Sequence, residues 1–162
     1  MRAWIVFGLM ALAGSGAYGA PQIYGWAELG RLEPGGPVLR LKLDTGADTS
    51  SLDARRLREF EHQGERWVSF IVPSEGKGSK RPQERIEREV VRYVHVRGAG
   101  GSETRPVVRM AICVGERVFD DEFTLNDRSK MTYPVLLGRN TLRQMGAAVD
   151  VNRTFTIDPH CP

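Results

Sequence analysis

The chain has 162 residues, which leaves room for one compact domain and no second sizeable core. Hydrophobic residues make up 41% of the sequence and charged residues 27%, a composition that excludes wholesale disorder and a bundle of membrane helices. The formal net charge of +3 is too small to indicate a nucleic-acid partner.

The amino terminus has the features of an export signal. Arg2 supplies a positive charge, and an apolar run over residues 3–13 follows it. The run is too short to span a bilayer comfortably, and the small residues that end at Gly19 fit cleavage there. We therefore predict a signal peptide over 1–19, a mature domain over 20–162, and a periplasmic or secreted protein without a membrane span. An uncleaved anchor is the less favoured alternative.

From Ile23 onward, short β-type runs alternate with Gly, Pro and polar clusters, which predicts a mainly β protein. In the first run, three leucines at positions 39, 41 and 43 alternate with basic residues. This period-two pattern is typical of a half-buried strand, and the strand ends directly at Asp44. Further strands are predicted at 67–72, 90–96, 107–114 and 118–125.

Residues 73–89 separate two of these strands. They contain Gly76, Gly78, Pro82 and many charges of both signs. That composition is typical of a mobile loop or of the tip of a hairpin.

The last third of the chain predicts a short helix. An apolar run at 135–138 precedes it, and the helix is expected over 139–145 with Asn140 near its start. After the helix, runs at 147–151 and 154–157 are separated by two residues, which predicts a terminal hairpin.

Two cysteines and three histidines are the residues that could suggest a bridge or a metal site. Cys113 and Cys161 lie far apart in sequence, so an oxidising compartment would allow a disulfide that closes a long loop; unpaired thiols are the open alternative. Neither cysteine has a CxxC partner or zinc-ligand spacing. His62, His95 and His160 are too scattered to suggest a site. We therefore predict no bound metal.

The motif that carries chemistry is Asp44-Thr45-Gly46-Ala47-Asp48, directly after the first predicted strand. Gly46 allows the backbone to turn tightly, so the Asp44 carboxylate is presented from a rigid strand end. Two such carboxylates that face each other cannot both ionise easily and hold one shared proton, which suits acid–base catalysis. An isolated Asp-Thr-Gly could instead be an ordinary turn in which Asp caps the chain.

A second motif, Val135-Leu136-Leu137-Gly138-Arg139-Asn140, places Gly and then Arg-Asn at the start of the predicted helix. Together the two motifs resemble the paired signatures of retropepsins, and the pair is more specific than either motif alone. The resemblance is close over residues 38–53 and 133–157 and loose between them. It implies a mainly β, closed acid-protease barrel with one short carboxyl-terminal helix.

The resemblance assigns expected roles to individual residues. Asp44 would be the catalytic aspartate, Thr45 would brace the two motif loops across a dimer, and Gly46 would shape the loop beneath the substrate. Asp48 and Arg139 would form an ion pair between the two signatures, and its burial would decide its importance. Structural support of the site is expected from Ala47, Asp48, Leu137, Gly138, Arg139 and Asn140.

The chain is also similar to a bacterial group often labelled ATP-dependent zinc proteases. Two segments carry this similarity: Trp67-Val68-Ser69-Phe70, and the run from Asp127 to Arg139 that ends in Tyr-Pro-Val-Leu-Leu-Gly-Arg. The sequence lacks the residues that this label implies, because it contains neither a GxxxxGK[ST] phosphate loop for ATP nor an HExxH helix for zinc. We therefore predict an aspartic peptidase with no cofactor, neither ATP nor zinc.

Because the sequence contains a single Asp-Thr-Gly, an active pair of carboxylates needs a homodimer or a partner with its own aspartate. The resemblance then implies an exported aspartic endopeptidase that hydrolyses peptide bonds in peptide or protein substrates. One Asp44 would act as general base on a water molecule. Its protonated partner would polarise the peptide carbonyl and help to protonate the leaving amine.

A flap over the cleft would exclude bulk water. We expect it in a hairpin between residues 67 and 96, with Gly76 and Gly78 making its tip mobile. A disordered surface loop is the alternative for the same segment.

Two other functions remain open. The chain could be a catalytically silent, retropepsin-like binding or regulatory protein of the cell envelope, although the intact Asp-Thr-Gly counts against this. It could also be a structural exported protein that uses the 73–89 loop for contacts. Members of the similar bacterial group are associated with trimming acidic peptide tails, which would suit a basic cleft. Those targets are cytoplasmic, and the predicted export signal argues against them.

Overall fold

The computed structural model describes most of the chain. Two predictions fall outside the described residues: the signal peptide at 1–19 and the flap glycines Gly76 and Gly78. The described residues are 20–74, 85–98 and 101–162.

The described residues form eleven strands and one helix, which confirms the prediction of a mainly β fold with one short helix. The strands predicted from alternation correspond to β2, β5, β7, β8 and β9 below. The elements in chain order are β1 (Gln22–Glu33), β2 (Val38–Leu43), β3 (Ser50–Asp53), β4 (Arg55–His62), β5 (Glu65–Ile71), β6 (Arg85–Glu89), β7 (Arg92–Gly98), β8 (Gly101–Val114), β9 (Arg117–Asn126), β10 (Val135–Leu137), α1 (Arg139–Met145) and β11 (Ala147–Thr154).

Six of the strands close into a ring in the order β1-β2-β10-β3-β9-β8. β1 completes the ring because its residues 27–31 pair with β2, while residues 31–33 pair with β8. β11 extends the sheet beyond β1, and β7 extends it beyond β8. This closed arrangement agrees with the fold that the retropepsin resemblance implies.

The alternation in β2 places its leucines inside the ring. Leu39 and Leu41 are fully buried, and Leu43 is 4% exposed. Burial of one such side chain stabilises a fold by about 1.5–3 kcal/mol. Asp44 therefore follows a strand that is anchored in the core. Other members of this core are Leu52, Val108, Ile112, Phe123, Val135 and Leu137.

The helix α1 agrees with the prediction at 139–145. It begins directly after Gly138 and ends before Gly146. Gly146 has φ 64°, a left-handed conformation that glycine adopts without strain, and its N–H donates to the carbonyl oxygens of Leu142 and Arg143. No helix within the described residues is long and apolar enough to cross a membrane.

The predicted terminal hairpin is wrong. β11 continues as one strand through residues 152 and 153 and pairs in parallel with β1, from Gln22 opposite Ala147 to Ala27 opposite Thr154, with a register shift between Gly25 and Ala27. On the edge of β1 opposite to β2, β8 pairs only with residues 31–33, so the first residues of β1 are free there to pair with the backbone N–H and C=O groups of β11. The local sequence cannot report such a distant partner.

A second sheet of three strands, β4-β5-β6, stands outside the ring. Residues 85–89 belong to it as β6, so of the two alternatives for this segment the hairpin is confirmed at those five positions and the loop is wrong there. They are strand because β5 pairs with them in an antiparallel ladder. β4 and β5 meet at Gln63-Gly64, whose φ values of 53° and 84° suit a two-residue hairpin turn.

A tail after β11 packs back on the ring and is held at two points. Cys113 in β8 and Cys161 form a disulfide, so of the two alternatives for these cysteines the bridge is the one present. Glu28, in the middle of β1, is fully buried. Its carboxylate accepts the N–H groups of Thr156 and Ile157 and the Thr156 hydroxyl.

Candidate active site

Asp44 is the first residue after β2, and two hydrogen bonds fix it. Its N–H donates to the Leu137 carbonyl oxygen over 2.9 Å. Its carboxylate oxygen Oδ1 accepts the Gly46 N–H over 2.9 Å. The side chain is 26% exposed. The carboxylate is therefore held by its own loop and open to solvent on one side, where a water or a substrate carbonyl can reach it.

β10 brings the second motif against the first because it lies between β2 and β3. A Cβ at Gly138 would lie 2.6 Å from the Asp48 carbonyl oxygen. The N–H of Arg139 donates to the Ala47 carbonyl oxygen over 2.8 Å, and the N–H of Asn140 donates to that of Asp48 over 3.1 Å. The residues predicted to support the site thus lie together, and their catalytic roles stay predictions.

Arg139 joins the two motifs through its side chain. Its guanidinium pairs with the Asp48 carboxylate, as the resemblance predicted, and donates to the Thr45 carbonyl oxygen over 2.8 Å. The Asp48 side chain is 71% exposed and that of Arg139 is 36% exposed. Exposed pairs contribute about 0–1 kcal/mol, so in a single chain this pair mainly orients the first motif. The Asn140 side chain contacts its own helix instead, where its oxygen accepts a hydrogen bond from Arg143 over 3.0 Å.

Lys42 is a site residue that the sequence prediction missed. Its Nζ lies 3.7 Å from Asp44 Oδ2. The alternation in β2 could have indicated Lys42, because residues two apart on a strand lie on the same face and Asp44 directly follows β2. Arg40 is two residues earlier on that face, and its guanidinium carbon lies 5.8 Å from the centre of the Tyr133 ring. We call Arg40 and Lys42 the basic strand face.

Arg128 is a third cation with electrostatic influence at the site. Burial lowers the pKa of Arg128, and the charge of Arg105 acts in the same direction, while the carboxylates of Asp53 and Asp44 oppose this shift. The Arg128 side chain is held by its Nε, which donates to the Tyr133 carbonyl oxygen over 3.2 Å. Lys42 is therefore the cation in contact range of the Asp44 carboxylate, and Arg128 acts on it from farther away.

β7 and β8 form a hairpin that projects beyond the ring. β8 pairs with β9 from Val107 onward, whereas its residues 101–106 pair only with β7 among the described strands. Gly101, near the tip, has φ 111°, a value that favours glycine. At the base, Arg92 Nη2 donates to Thr49 Oγ1 over 3.3 Å, which places the hairpin beside the chain that follows the first motif.

The outer sheet contacts this hairpin. The Tyr93 hydroxyl in β7 donates to the Glu59 carboxylate in β4 over 2.7 Å. This hydrogen bond is the largest cause that raises the pKa of Tyr93, because it is lost when the phenol ionises. β4 thus limits where the base of the hairpin can move.

The three histidines lie in separate places. His62 packs edge-on against Trp67, His95 Nδ1 lies 2.8 Å from the Thr104 hydroxyl, and His160 Nδ1 lies 3.1 Å from the Asp158 carbonyl oxygen. Across residues 20–74, 85–98 and 101–162, no group of three His, Cys, Asp or Glu side chains is placed to hold a metal ion.

A family model matches most of the chain. The model is described as retropepsin-like aspartic endopeptidase RimB, and it matches residues 23–160. A solved structure of a Legionella pneumophila protein, described as having unknown function, is 35% identical with a TM-score of 0.69. That match covers 83% of this chain and 96% of the Legionella chain.

Two curated relatives carry the name "Probable alpha-L-glutamate ligase". The Desulfotalea psychrophila protein is 36% identical over 111 residues, which are 68% of this chain and 24% of that protein. The Shewanella pealeana protein is 34% identical over 125 residues, which are 76% of this chain and 27% of that protein. The chain therefore spans about a quarter of the length of these relatives.

Proposed function

Because the chain belongs to the RimB-like family of retropepsin-like aspartic endopeptidases, we propose that it is an aspartic endopeptidase that acts through two copies of Asp44. The observation that carries this proposal is the geometry of the first motif. Asp44 stands at the end of an anchored strand, fixed by Leu137 and Gly46, with its carboxylate open to solvent. Each chain contains one Asp-Thr-Gly, so the complete pair needs a second copy.

In the proposed dimer the two Asp44 carboxyl groups share one proton, because two carboxyl groups so near each other cannot both be ionised easily. The ionised carboxylate takes a proton from water, and the water oxygen attacks the peptide carbonyl carbon. The protonated carboxyl gives its proton to the carbonyl oxygen. In the resulting tetrahedral diol the C–N bond breaks, the amine leaves with a proton from the pair, and one diol hydroxyl returns its proton as the carboxylic acid forms.

We assign the flap to the β7–β8 hairpin; the flap glycines predicted from the sequence, Gly76 and Gly78, lie outside the described residues. Two observations support this assignment: the hairpin projects beyond the ring, and its base contacts Thr49 beside the first motif. The described residues at its tip include Gly98 and Gly101, which suit a flexible strand end. Closure over the cleft would exclude bulk water and strengthen electrostatic interactions with the substrate.

The proposed substrate is an acidic peptide segment. Lys42 of the basic strand face places a positive charge 3.7 Å from the Asp44 carboxylate. A substrate carboxylate about 4 Å from a cation gains about 1 kcal/mol in water and more in a cleft that excludes water. The curated relatives, which carry glutamate in their name, support the same substrate chemistry.

Export is also part of the proposal. The charged start and apolar run of residues 1–19 support it, and the disulfide suits an oxidising compartment. The acidic substrate would then be a peptide of that compartment. Fractionation with mass spectrometry should find the chain without residues 1–19 in the periplasm or medium. A full-length chain confined to the cytoplasm would contradict export without touching the peptidase proposal.

The deciding experiment is cleavage of a diverse peptide library by the purified protein, with wild type and Asp44→Asn compared from about pH 4 to about pH 8. Asp120→Asn is the matched control, because Asp120 is 61% exposed in a surface ion pair with Arg109. We expect wild type and control to cleave with or without a chelator. Asp44→Asn should lose about 10²–10⁴-fold in rate. A folded dimer that cleaves nothing would contradict the proposal and favour the binding-protein alternative.

A further inference from the structure

A row of hydrogen bonds leads from Asp44 into the interior of the ring. The Asp44 N–H donates to the Leu137 carbonyl oxygen over 2.9 Å. The same peptide unit carries the Gly138 N–H, which donates to Ser50 Oγ over 3.0 Å. One peptide between β10 and α1 therefore connects the backbone of the proposed catalytic residue to a hydroxyl of β3.

The row continues to a buried carboxylate. Ser50 Oγ lies 2.7 Å from Thr141 Oγ1, and Thr141 Oγ1 donates to Asp121 Oδ2 over 2.7 Å. Ser50 and Thr141 are fully buried, and Asp121 is 8% exposed. The row thus joins β3, α1 and β9, three elements that are distant in sequence.

The two backbone N–H groups of the row can only donate, and the two hydroxyl groups follow the same direction. The single hydroxyl hydrogen of Thr141 goes to Asp121 Oδ2. Ser50 must then donate to Thr141, and it accepts from Gly138. All donors point towards the carboxylate. Hydrogen bonds aligned in this way strengthen one another by about 10–30% each.

The contacts at position 121 use both side-chain oxygens as acceptors. The Asp121 carboxylate accepts from two neutral donors, the Thr141 hydroxyl and, over 2.8 Å, the Glu122 N–H. The two donors reach different oxygens, Oδ2 and Oδ1, and a carboxylate supplies both acceptors. A carboxamide, however, could present its NH₂ group to Thr141, which would reverse that bond and remove the acceptor for the Ser50 hydrogen.

We propose that Asp121 is a positioning residue for Asp44. Its carboxylate acts through the two hydroxyl groups of the row and the Leu137–Gly138 peptide to hold the Asp44 backbone. The consequence for turnover rests on the proposed peptidase function. The effect on the position of the Asp44 backbone is independent of that function.

The test uses the full protein with Asp121→Asn and Thr141→Val, two different ways of interrupting the row. Thr124→Val is the matched control. Thr124 is 7% exposed, and its hydroxyl donates to the Ser50 backbone carbonyl oxygen over 3.2 Å, so its loss removes a buried hydroxyl beside the row without breaking a bond of the row itself. Thr141→Ser keeps the hydroxyl and should restore most of what Thr141→Val loses. Melting temperatures identify any variant that fails to fold.

Two readouts separate positioning from stability. Asp121→Asn and Thr141→Val should lower kcat about tenfold with KM changed less than about twofold, because small displacements of a reacting group reduce rate more than binding. In NMR spectra, the Asp44 amide proton should shift upfield and exchange with solvent several times faster, as expected for a weaker hydrogen bond. Thr124→Val should leave kcat and the Asp44 amide at wild-type values.

The inference is overturned if Thr124→Val lowers kcat as much as Thr141→Val, or if the Asp44 amide in Asp121→Asn behaves as in wild type. Either result would mean that the row only satisfies buried polar groups. If the wild-type protein has no peptidase activity, the proposed function fails, and the amide measurements alone decide whether Asp121 controls the Asp44 backbone.

Discussion

At the scale of single residues, Gly138 shows how closely the two motifs approach. Its φ is −84°, which any residue adopts, so close contact and not backbone conformation requires glycine. A Cβ would lie 2.6 Å from the Asp48 carbonyl oxygen and 2.8 Å from the Thr49 carbonyl carbon. Both are backbone atoms, so any side chain must push the motifs apart.

We expect Gly138→Ala to destabilise the protein by about 1–3 kcal/mol in urea unfolding, because it overpacks a rigid contact. It should also lower turnover, since Arg139 and the Asp44 loop would separate. Gly64→Ala is the control: its φ of 84° makes alanine unfavourable by about 1–2 kcal/mol, and nothing lies within 4 Å of the added Cβ. Equal losses of turnover in both variants would show that stability alone explains the effect.

Lys42 carries a second prediction at this scale. With Lys42→Glu, kcat/KM for peptides that have acidic residues beside the cleaved bond should fall about tenfold relative to neutral peptides. The reason is that attraction becomes repulsion a few ångströms from Asp44. Arg153→Glu makes the same charge change at an exposed position of β11 and should leave this ratio unchanged. If both variants change it equally, net charge and not the basic strand face selects substrates.

At the scale of elements, β1 organises the molecule. Its 12 residues pair successively with β11, β2 and β8, and this succession closes the ring. Its buried Glu28 also fixes the carboxyl-terminal tail. The tail is fastened a second time by the disulfide between Cys113 and Cys161. Two distant contacts therefore hold a segment that has no strand of its own.

We expect the double variant Cys113→Ser with Cys161→Ser to lose stability, because the bridge restricts the unfolded chain. The two cysteines are 48 residues apart in sequence. For such a loop the chain-entropy model predicts a stability loss of about 4 kcal/mol, and removal of natural disulfides costs about 2–5 kcal/mol. Urea unfolding of wild type with and without reductant measures the loss. Reductant should not affect the double variant. An unchanged wild-type midpoint would show that the hydrogen bonds of the tail, including those to Glu28, hold it without the bridge.

At the scale of the whole molecule, one chain presents half of the proposed catalytic pair. Thr45, Gly46 and Asp48 are exposed beside Asp44, so the first motif lies on a surface that a second copy can reach. The ion pair between Asp48 and Arg139 would gain importance if a second copy covered it, because burial makes the loss of either partner costly.

Subunit mixing tests the shared site. In an equal mixture of wild-type and Asp44→Asn chains that exchange freely, about a quarter of the dimers carry two intact aspartates, and activity per wild-type chain falls to about half. A large excess of the variant should bring activity close to zero. Asp120→Asn chains in the same ratio should have no effect. Activity that stays proportional to the wild-type chain, despite demonstrated exchange, would exclude a site shared between copies.

The sequence by itself determined the features that depend on neighbours along the chain. The alternation before Asp44 predicted β2 and its buried leucines, because strand faces repeat every two residues. The motif before Arg139 predicted the start of α1, and Gly146 ends that helix by a local backbone preference. The two motifs also predicted which residues of the site would lie together.

Contacts between distant segments depend on the folded chain as a whole. β11 pairs with β1 and not with a hairpin partner, Cys113 meets Cys161, and Asp121 reaches Asp44 through hydroxyl groups of two other elements. A backbone edge or a buried hydroxyl accepts whichever partner the fold delivers, and its own neighbours in sequence carry no record of that partner. For this reason the motifs pointed to the proposed chemistry, while the groups that hold it in place became visible only in the folded chain.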